Sequence, residues 1–223
     1  MTTTPVVLAL ASAIGYGTGD FLGGEGSRRT SPAQLSLLVQ CTGLLVAVSA
    51  VAVTAHGLPP TRVVAWGALS GIGSALGNQA LYRGLASGAM NVVAPLSAVF
   101  TAVLPAAVGI AAGERLPLTG WAGLGAALPA IALVSLSPTQ TPSDPAGDES
   151  TGPQTARVRR RTENLVRDGV GWGLLAGCGF GLLFVSLDKA GTGSGAWPLL
   201  LDQIVAVILV GLVHTYTHSA APT

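Results

Sequence analysis

Seven stretches of this chain stay apolar for about the 20 residues that a helix needs to cross a bilayer. They are Pro5–Gly23, Ala33–Thr54, Val63–Leu85, Val92–Ala111, Leu118–Leu136, Gly169–Leu187 and Ala196–Tyr216. Short joints rich in glycine, proline and charge separate most of them, among them Gly57-Leu58-Pro59-Pro60 and Gly113-Glu114-Arg115. Such residues mark turns. The pattern predicts an all-α fold, a polytopic transmembrane helix bundle.

One joint is different. From Pro138 to Asp168 there is no apolar run; Pro, Thr, Ser, Asp and Gly give way to a basic cluster of Arg157, Arg159, Arg160 and Arg161. This composition reads as a flexible linker. It divides the chain into a five-helix unit (residues 5–137), the linker (138–168) and a two-helix unit (169–217). The two helical units echo one another. Gly15, Gly17 and Gly19 in the first segment are matched by Gly177, Gly179 and Gly181 in the sixth. Ala33, Leu37 and Gln40 are matched by Ala196, Leu200 and Gln203, with one extra residue in between. A repeat with an odd number of helices returns in the opposite orientation, as in transporters built from inverted repeats. The expected architecture is one five-helix repeat plus the first two helices of a second, inverted repeat.

Composition points the same way. The 223 residues are 49% hydrophobic and 9% charged, with a mean hydropathy of +0.60, whereas soluble domains run at about a quarter charged. So little charge cannot cover a surface that faces water, and lipid removes the demand. The net charge of +1 implies no pull toward nucleic acid. The arginine cluster, with no aromatic residues interleaved, suits anionic lipid better. Cys41 and Cys178 lie inside apolar runs and are expected as small buried fillers rather than disulfide partners. Met1 to Pro5 carry no Lys or Arg, so the first apolar run is expected to stay as a helix rather than be cleaved as a signal peptide.

The order of motifs along Val6–Ser135 is similar to that of a known family. Asn78-Gln79-Ala80-Leu81-Tyr82-Arg83-Gly84-Leu85 is followed by Val92-Val93-Ala94-Pro95-Leu96, then Val103-Leu104-Pro105, then Gly113-Glu114-Arg115-Leu116. Together with Tyr16-Gly17 and Asp20-Phe21-Leu22-Gly23-Gly24, these resemble an EamA domain of the drug/metabolite transporter superfamily, in a bacterial branch. Gly169–Tyr216 resembles the start of a second such domain more faintly. The resemblance implies a secondary transporter that moves small metabolites or drugs across a bacterial plasma membrane by alternating access, with no cofactor and no enzymatic activity. Complete members have ten helices in two repeats. A count of seven therefore implies a truncated, inactive form, or one completed as a homo-oligomer or by a partner that supplies helices. The alternative function is a membrane scaffold or accessory subunit that transports nothing.

Polar groups inside the apolar segments are the candidates for a substrate path, because polar groups at membrane depth need partners or a wet cavity. A carboxylate at the bilayer centre costs about 2.5–3.5 kcal/mol on insertion scales, and such residues often serve protons or ions. Asp20 is the first of these. It falls about a turn from the end of its segment, where an interfacial role is the alternative. Asp202 has a similar place in the seventh segment. Asn78 and Tyr82, four apart, share a helix face; they either line a path or bond neighbouring helices. Gln40 and Gln203 hold matched positions in the two units, as a site between repeats would require. Pro95 and Pro105 each remove a backbone hydrogen bond and bend the helix, which makes them hinge candidates or static packing features. Glu114 and Arg115 are expected as an exposed pair in a joint. Gly15 and Gly19, Gly67 and Gly71, Gly73 and Gly77, and Gly173, Gly177 and Gly181 have the small-xxx-small spacing that lets backbones approach. No metal site is expected, since His214 and His218 lie in a tail expected to fray. No Walker lysine motif or Ser/His pair suggests ATP use or hydrolysis. Arg28, Arg29, Arg83 and the linker's five arginines would share one side, against Arg62, Arg115 and Lys189 on the other. That imbalance favours an external N-terminus, and the resemblance implies the reverse.

Overall fold

The computed structural model describes residues 3–54, 57–87, 90–115, 118–135, 153–191 and 193–219. These residues form α1 (Thr3–Arg29), α2 (Pro32–Thr54), α3 (Thr61–Ala86), α4 (Met90–Ala111), α5 (Leu118–Ser135), α6 (Pro153–Ala190) and α7 (Trp197–Ser219). No strand occurs among them. Helices α1, α2, α4 and α7, with the Arg167–Ala190 part of α6, are long and apolar enough to cross a bilayer. That set marks the chain as a multi-pass membrane protein. α6 starts at Pro153, inside the stretch whose composition reads as linker. Proline suits a first helical position, because the donor it lacks would be unpaired there anyway. The arginines of 157–161 therefore sit on helical backbone, while 138–152 lie outside the described residues. α7 likewise continues through Ser219, so the segment carrying His214 and His218 is helical rather than frayed.

The bundle hides small and polar residues and shows apolar ones. Ser36, Gln40, Ser70, Ser74, Gln79, Ser97, Ser186 and Asp202 are buried, while Val6, Leu8, Ile14, Phe21, Leu45 and Val46 are exposed. This is the distribution expected when the outer solvent is lipid. Tails are as apolar as leucine, so helices associate through close packing and hydrogen bonds rather than by hiding apolar area. α3 is the extreme case. It packs against α1, α2, α4, α6 and α7 and holds the largest set of buried residues. Its neighbours shield most of it from lipid and leave a strip with Val64, Ile72 and Leu76 exposed. That is why a helix carrying Asn78, Gln79 and Arg83 stands at the centre of the bundle yet falls outside the five apolar spans.

Glycines make the central contacts possible. A Cβ on Gly71 would stand 2.5 Å from the Asp202 carbonyl oxygen, and one on Gly67 2.8 Å from Leu201 Cβ, so α3 and α7 meet backbone to backbone. A Cβ on Gly73 would stand 2.6 Å from the Gly179 carbonyl oxygen, which puts α6 equally close. The contacts also fix directions. Gly73 meets Gly179 and Leu183, whereas Gly84 meets Trp172, so α6 runs antiparallel to α3. Gly173 meets Leu96 and Gly181 meets Leu104, so α6 runs parallel to α4 and fills the groove between α3 and α4. α7 lies between α2 and α3. At its start the Ala196 N–H donates to Thr54 Oγ1 (3.1 Å) and the Trp197 indole N–H to the Gly57 carbonyl (3.0 Å). Gly195 adopts a φ of +58° there, a left-handed conformation that glycine takes without penalty. α5 packs against α4 at the edge.

Two expectations change here. Gly15 and Gly19 do not pack like the other spaced glycines, since a Cβ at either would meet nothing within 4 Å. Cys41 and Cys178 are free and exposed rather than buried fillers. They lie on the outward faces of α2 and α6, where lipid accepts an apolar thiol as readily as a packed interior does.

Gly71→Ala should lower the thermal stability of the detergent-solubilised protein by about 1–3 kcal/mol, as overpacking does. Gly211→Ala, where a Cβ would meet nothing within 4 Å, should be neutral or stabilising by up to about 1 kcal/mol, the gain in helix propensity. The fraction remaining monodisperse after heating measures both. Equal losses in the two variants would contradict close packing at Gly71.

Candidate functional site

Polar residues at Ser70, Ser74, Asn78 and Tyr82 recur every four positions along α3. Side chains four apart lie one above the other on a helix, so they form a single polar ridge. Gln40 of α2 bridges its middle. The Gln40 amide N–H donates to Ser74 Oγ (3.1 Å), and the Asn78 amide N–H donates to Gln40 Oε1 (3.4 Å). Gln40 is 2% exposed. It stands eight residues into α2 and fourteen from its end, about 12 Å and 21 Å along the axis. The amide cluster therefore occupies the middle of the bundle, where hydrogen bonds between helices replace the water that lipid cannot supply.

α7 adds the next two groups. Gln203 lies over Gly43 of α2, where a Cβ would come within 2.8 Å of its amide; Gly43 is one turn beyond Gln40. Asp202, 3% exposed, faces Ser70 of α3. At the opposite end of the ridge, the Tyr82 ring lies against Gly23 of α1, where a Cβ would stand 2.6 Å from its Cε1. Asp20 stands one turn before Gly23 on α1, toward this same end of the ridge. Its depth differs from the expectation. α1 continues to Arg29, so Asp20 sits nine residues from the helix end, about 13 Å, rather than a turn from it. The final turns hold the Arg29–Glu25 ion pair at 2.6 Å, with an exposed Arg28, and these form the polar end of the span.

The structure thus gathers Asp20, Gln40, Asn78, Tyr82 and Gln203 around one side of α3, where α1, α2 and α7 meet it. Direct hydrogen bonds join only Gln40 and Asn78 of the five. α4 passes through Pro95 and Pro105 as one helix, and Pro129 stands likewise inside α5. Pro105 lies beside Val185 and Asp188 of α6. Glu114 and Arg115 are both exposed in the joint after α4, as expected. Among the described residues no cluster of His, Cys, Asp and Glu is suited to a metal.

Several members of the ridge escape a reading by residue type. Ser70 and Ser74 look like ordinary small residues, and only their four-residue step toward Asn78 and Tyr82 signals them. Oxygens of Ser36, Ser186, Asp202 and Gln203 and both amide atoms of Gln79 are buried without a hydrogen-bond partner. Buried polar atoms in native proteins are almost always satisfied by protein, water or ion, and of these Asp202 and Gln203 lie against the seam. No family model, curated protein or solved structure matches this chain.

If the seam holds α2 to α3, Gln40→Ala and Ser74→Ala should be coupled. A double-mutant cycle on thermal stability should return about 0.5–1.5 kcal/mol of interaction, the range for hydrogen bonds between membrane helices. Additive losses would mean that the 3.1 Å contact contributes nothing.

Proposed function

We propose that this chain is a secondary transporter of small solutes, of the drug/metabolite type with EamA-like repeats, acting in a bacterial plasma membrane by alternating access. The observation that carries the reading is the buried Gln40–Ser74–Asn78 cluster, set where helices from the first five meet α7. Amides at mid-depth can bond neighbouring helices, and a path for a polar solute also needs such groups along it. Amides and hydroxyls without a neighbouring arginine or lysine suit a polar solute that need not be anionic.

The five-plus-two organisation is part of the proposal. It is supported by helix direction: α1 and α6 run opposite ways, as do α2 and α7, which is what inversion of a five-helix repeat requires. Gln40 and Gln203 then hold equivalent places, one with partners on α3 and the other with its amide oxygen unpaired. Pro95 and Pro105 would permit bending of α4 against α6. The arginines at the α1, α3 and α6 ends that share one side favour that side as cytoplasmic.

A second reading rests on α1. The glycine ladder of α6 is enclosed by α3 and α4, while Gly15, Gly17 and Gly19 of α1 meet nothing within 4 Å. An accessory subunit that presents this face to a partner's helices, or to a second copy, would leave it bare in the isolated chain.

Reconstituted vesicles loaded with a mixed pool of isotope-labelled metabolites should lose at least one of them faster than protein-free vesicles. Gln40→Leu should slow that loss by roughly tenfold, equivalent to about 1.4 kcal/mol. No solute loss, together with stoichiometric cross-linking of one other protein to α1 in cells, would favour the accessory subunit.

A further inference from the structure

Asp202 has a place in the bundle that the amide cluster does not explain. It is 3% exposed, and its Oδ1 is buried without a hydrogen-bond partner. A carboxylate in such surroundings needs a cation or strong donors to stay ionised. The elements packed on α7 supply neither. α2 carries no ionisable side chain except the exposed Cys41. On α3 the ionisable groups are Arg62, exposed in the first turn, and Tyr82 and Arg83 near the other end. The Arg83 guanidinium lies over the Trp172 ring at 5.8 Å. On α6 the groups at this end of the bundle are Asp188 and Lys189, which lie 3.5 Å from each other. On α7 itself the next titratable group is His214, three turns on.

Ser70 is a polar side chain placed against Asp202, and its hydroxyl donates to the Gly67 carbonyl at 2.8 Å. A hydroxyl has one proton. While Ser70 gives it to Gly67, its oxygen can accept from a protonated carboxyl but cannot donate to a carboxylate. When the carboxyl loses its proton, the Ser70 hydroxyl can turn and donate to it instead, leaving the Gly67 carbonyl with its helix bond. Gly71, one residue on, lets the α7 backbone come close enough for this pairing.

We propose that Asp202 is a proton-binding site, and that Ser70 switches its hydroxyl between Gly67 and Asp202 as the proton arrives and leaves. Binding forms one O–H bond on the carboxylate and breaks none in the protein; release returns the same proton to water. The ligand is a proton rather than a sodium ion, because a metal cation needs several oxygens around it and no group of His, Cys, Asp and Glu among the described residues is suited to hold one. The use of this site, coupling solute movement to a proton gradient, rests on the transporter reading, but the site itself does not.

Infrared difference spectra of the full chain in nanodiscs, with its aspartates carbon-13 labelled, test this directly. The wild type should show the C=O stretch of a protonated aspartic acid that disappears as pH is raised. Asp202→Asn, close in shape and neutral, should remove the band, and Asp20→Asn should leave it. Ser70→Ala keeps the carboxyl and deletes its acceptor, so the band should remain and move to higher frequency. Exchange of choline for sodium at fixed pH should change nothing. Absence of any Asp202-dependent band would overturn the proposal. So would a band that follows Asp20, or one that sodium abolishes. Vesicle flux reports on the transporter reading separately: flux without the band sinks the proton site alone, and the band without flux sinks the transporter reading alone.

Discussion

The close approach of α3 to α6 and α7 is the constraint on which the rest of the structure depends. In lipid there is little to gain from hiding apolar area between helices, so cohesion comes from backbones that come near enough for dispersion contacts and polar bonds. At Gly71 and Gly73 that nearness reaches the point where even a methyl group would strike backbone atoms of the facing helix. Glycine in a water-exposed helix is a weakness of about 1 kcal/mol. Here it is what allows α6 and α7 each to close on α3 at backbone distance.

The polar seam follows from the same geometry. A helix packed against five others can carry serines, an asparagine and a tyrosine at four-residue intervals on a face turned away from lipid, while Val64, Ile72 and Leu76 stay exposed on another. Gly43 on α2 leaves room for Gln203, and Gly23 on α1 leaves room for the Tyr82 ring. Small residues thus create both the packing and the space in which large polar side chains gather. The apolar faces of α1 and α2 remain outside, where Leu45 and Ile14 are exposed.

Much of the fold was legible in the chain because hydrophobic length is a local property. Each of the seven apolar segments became a helix, and the Gly67/Gly71 and Gly73/Gly77 pairs marked true contacts. What escaped depended on partners or on weak signals. The length of the Val63–Leu85 run reads as another span and cannot reveal that five helices pack around it. The start of α6 at Pro153 was hidden because a polar, arginine-rich helix has the composition of a linker. Asp20 was placed too shallow because Glu25, Arg28 and Arg29 end the apolar run before they end the helix. Gly15 and Gly19 share the spacing of the packed pairs yet meet no neighbour, since spacing shows that a helix can be approached and not whether anything approaches it. Of the candidate site, the amides were visible as polar residues in apolar runs; the joining of Gln40 to Ser74 across 34 positions was not.

Labelling from within the bilayer tests the enclosure of α3 most directly. A lipid-soluble carbene precursor, photolysed in vesicles containing the protein and mapped by mass spectrometry, reports which side chains touch acyl chains. The account predicts strong labelling at Ile14 and Phe21 of α1 and at Leu45 and Val46 of α2, with Ala75, Ala80, Leu81 and Leu85 of α3 unlabelled. Labelling of those α3 residues as heavy as that of α1 would contradict it.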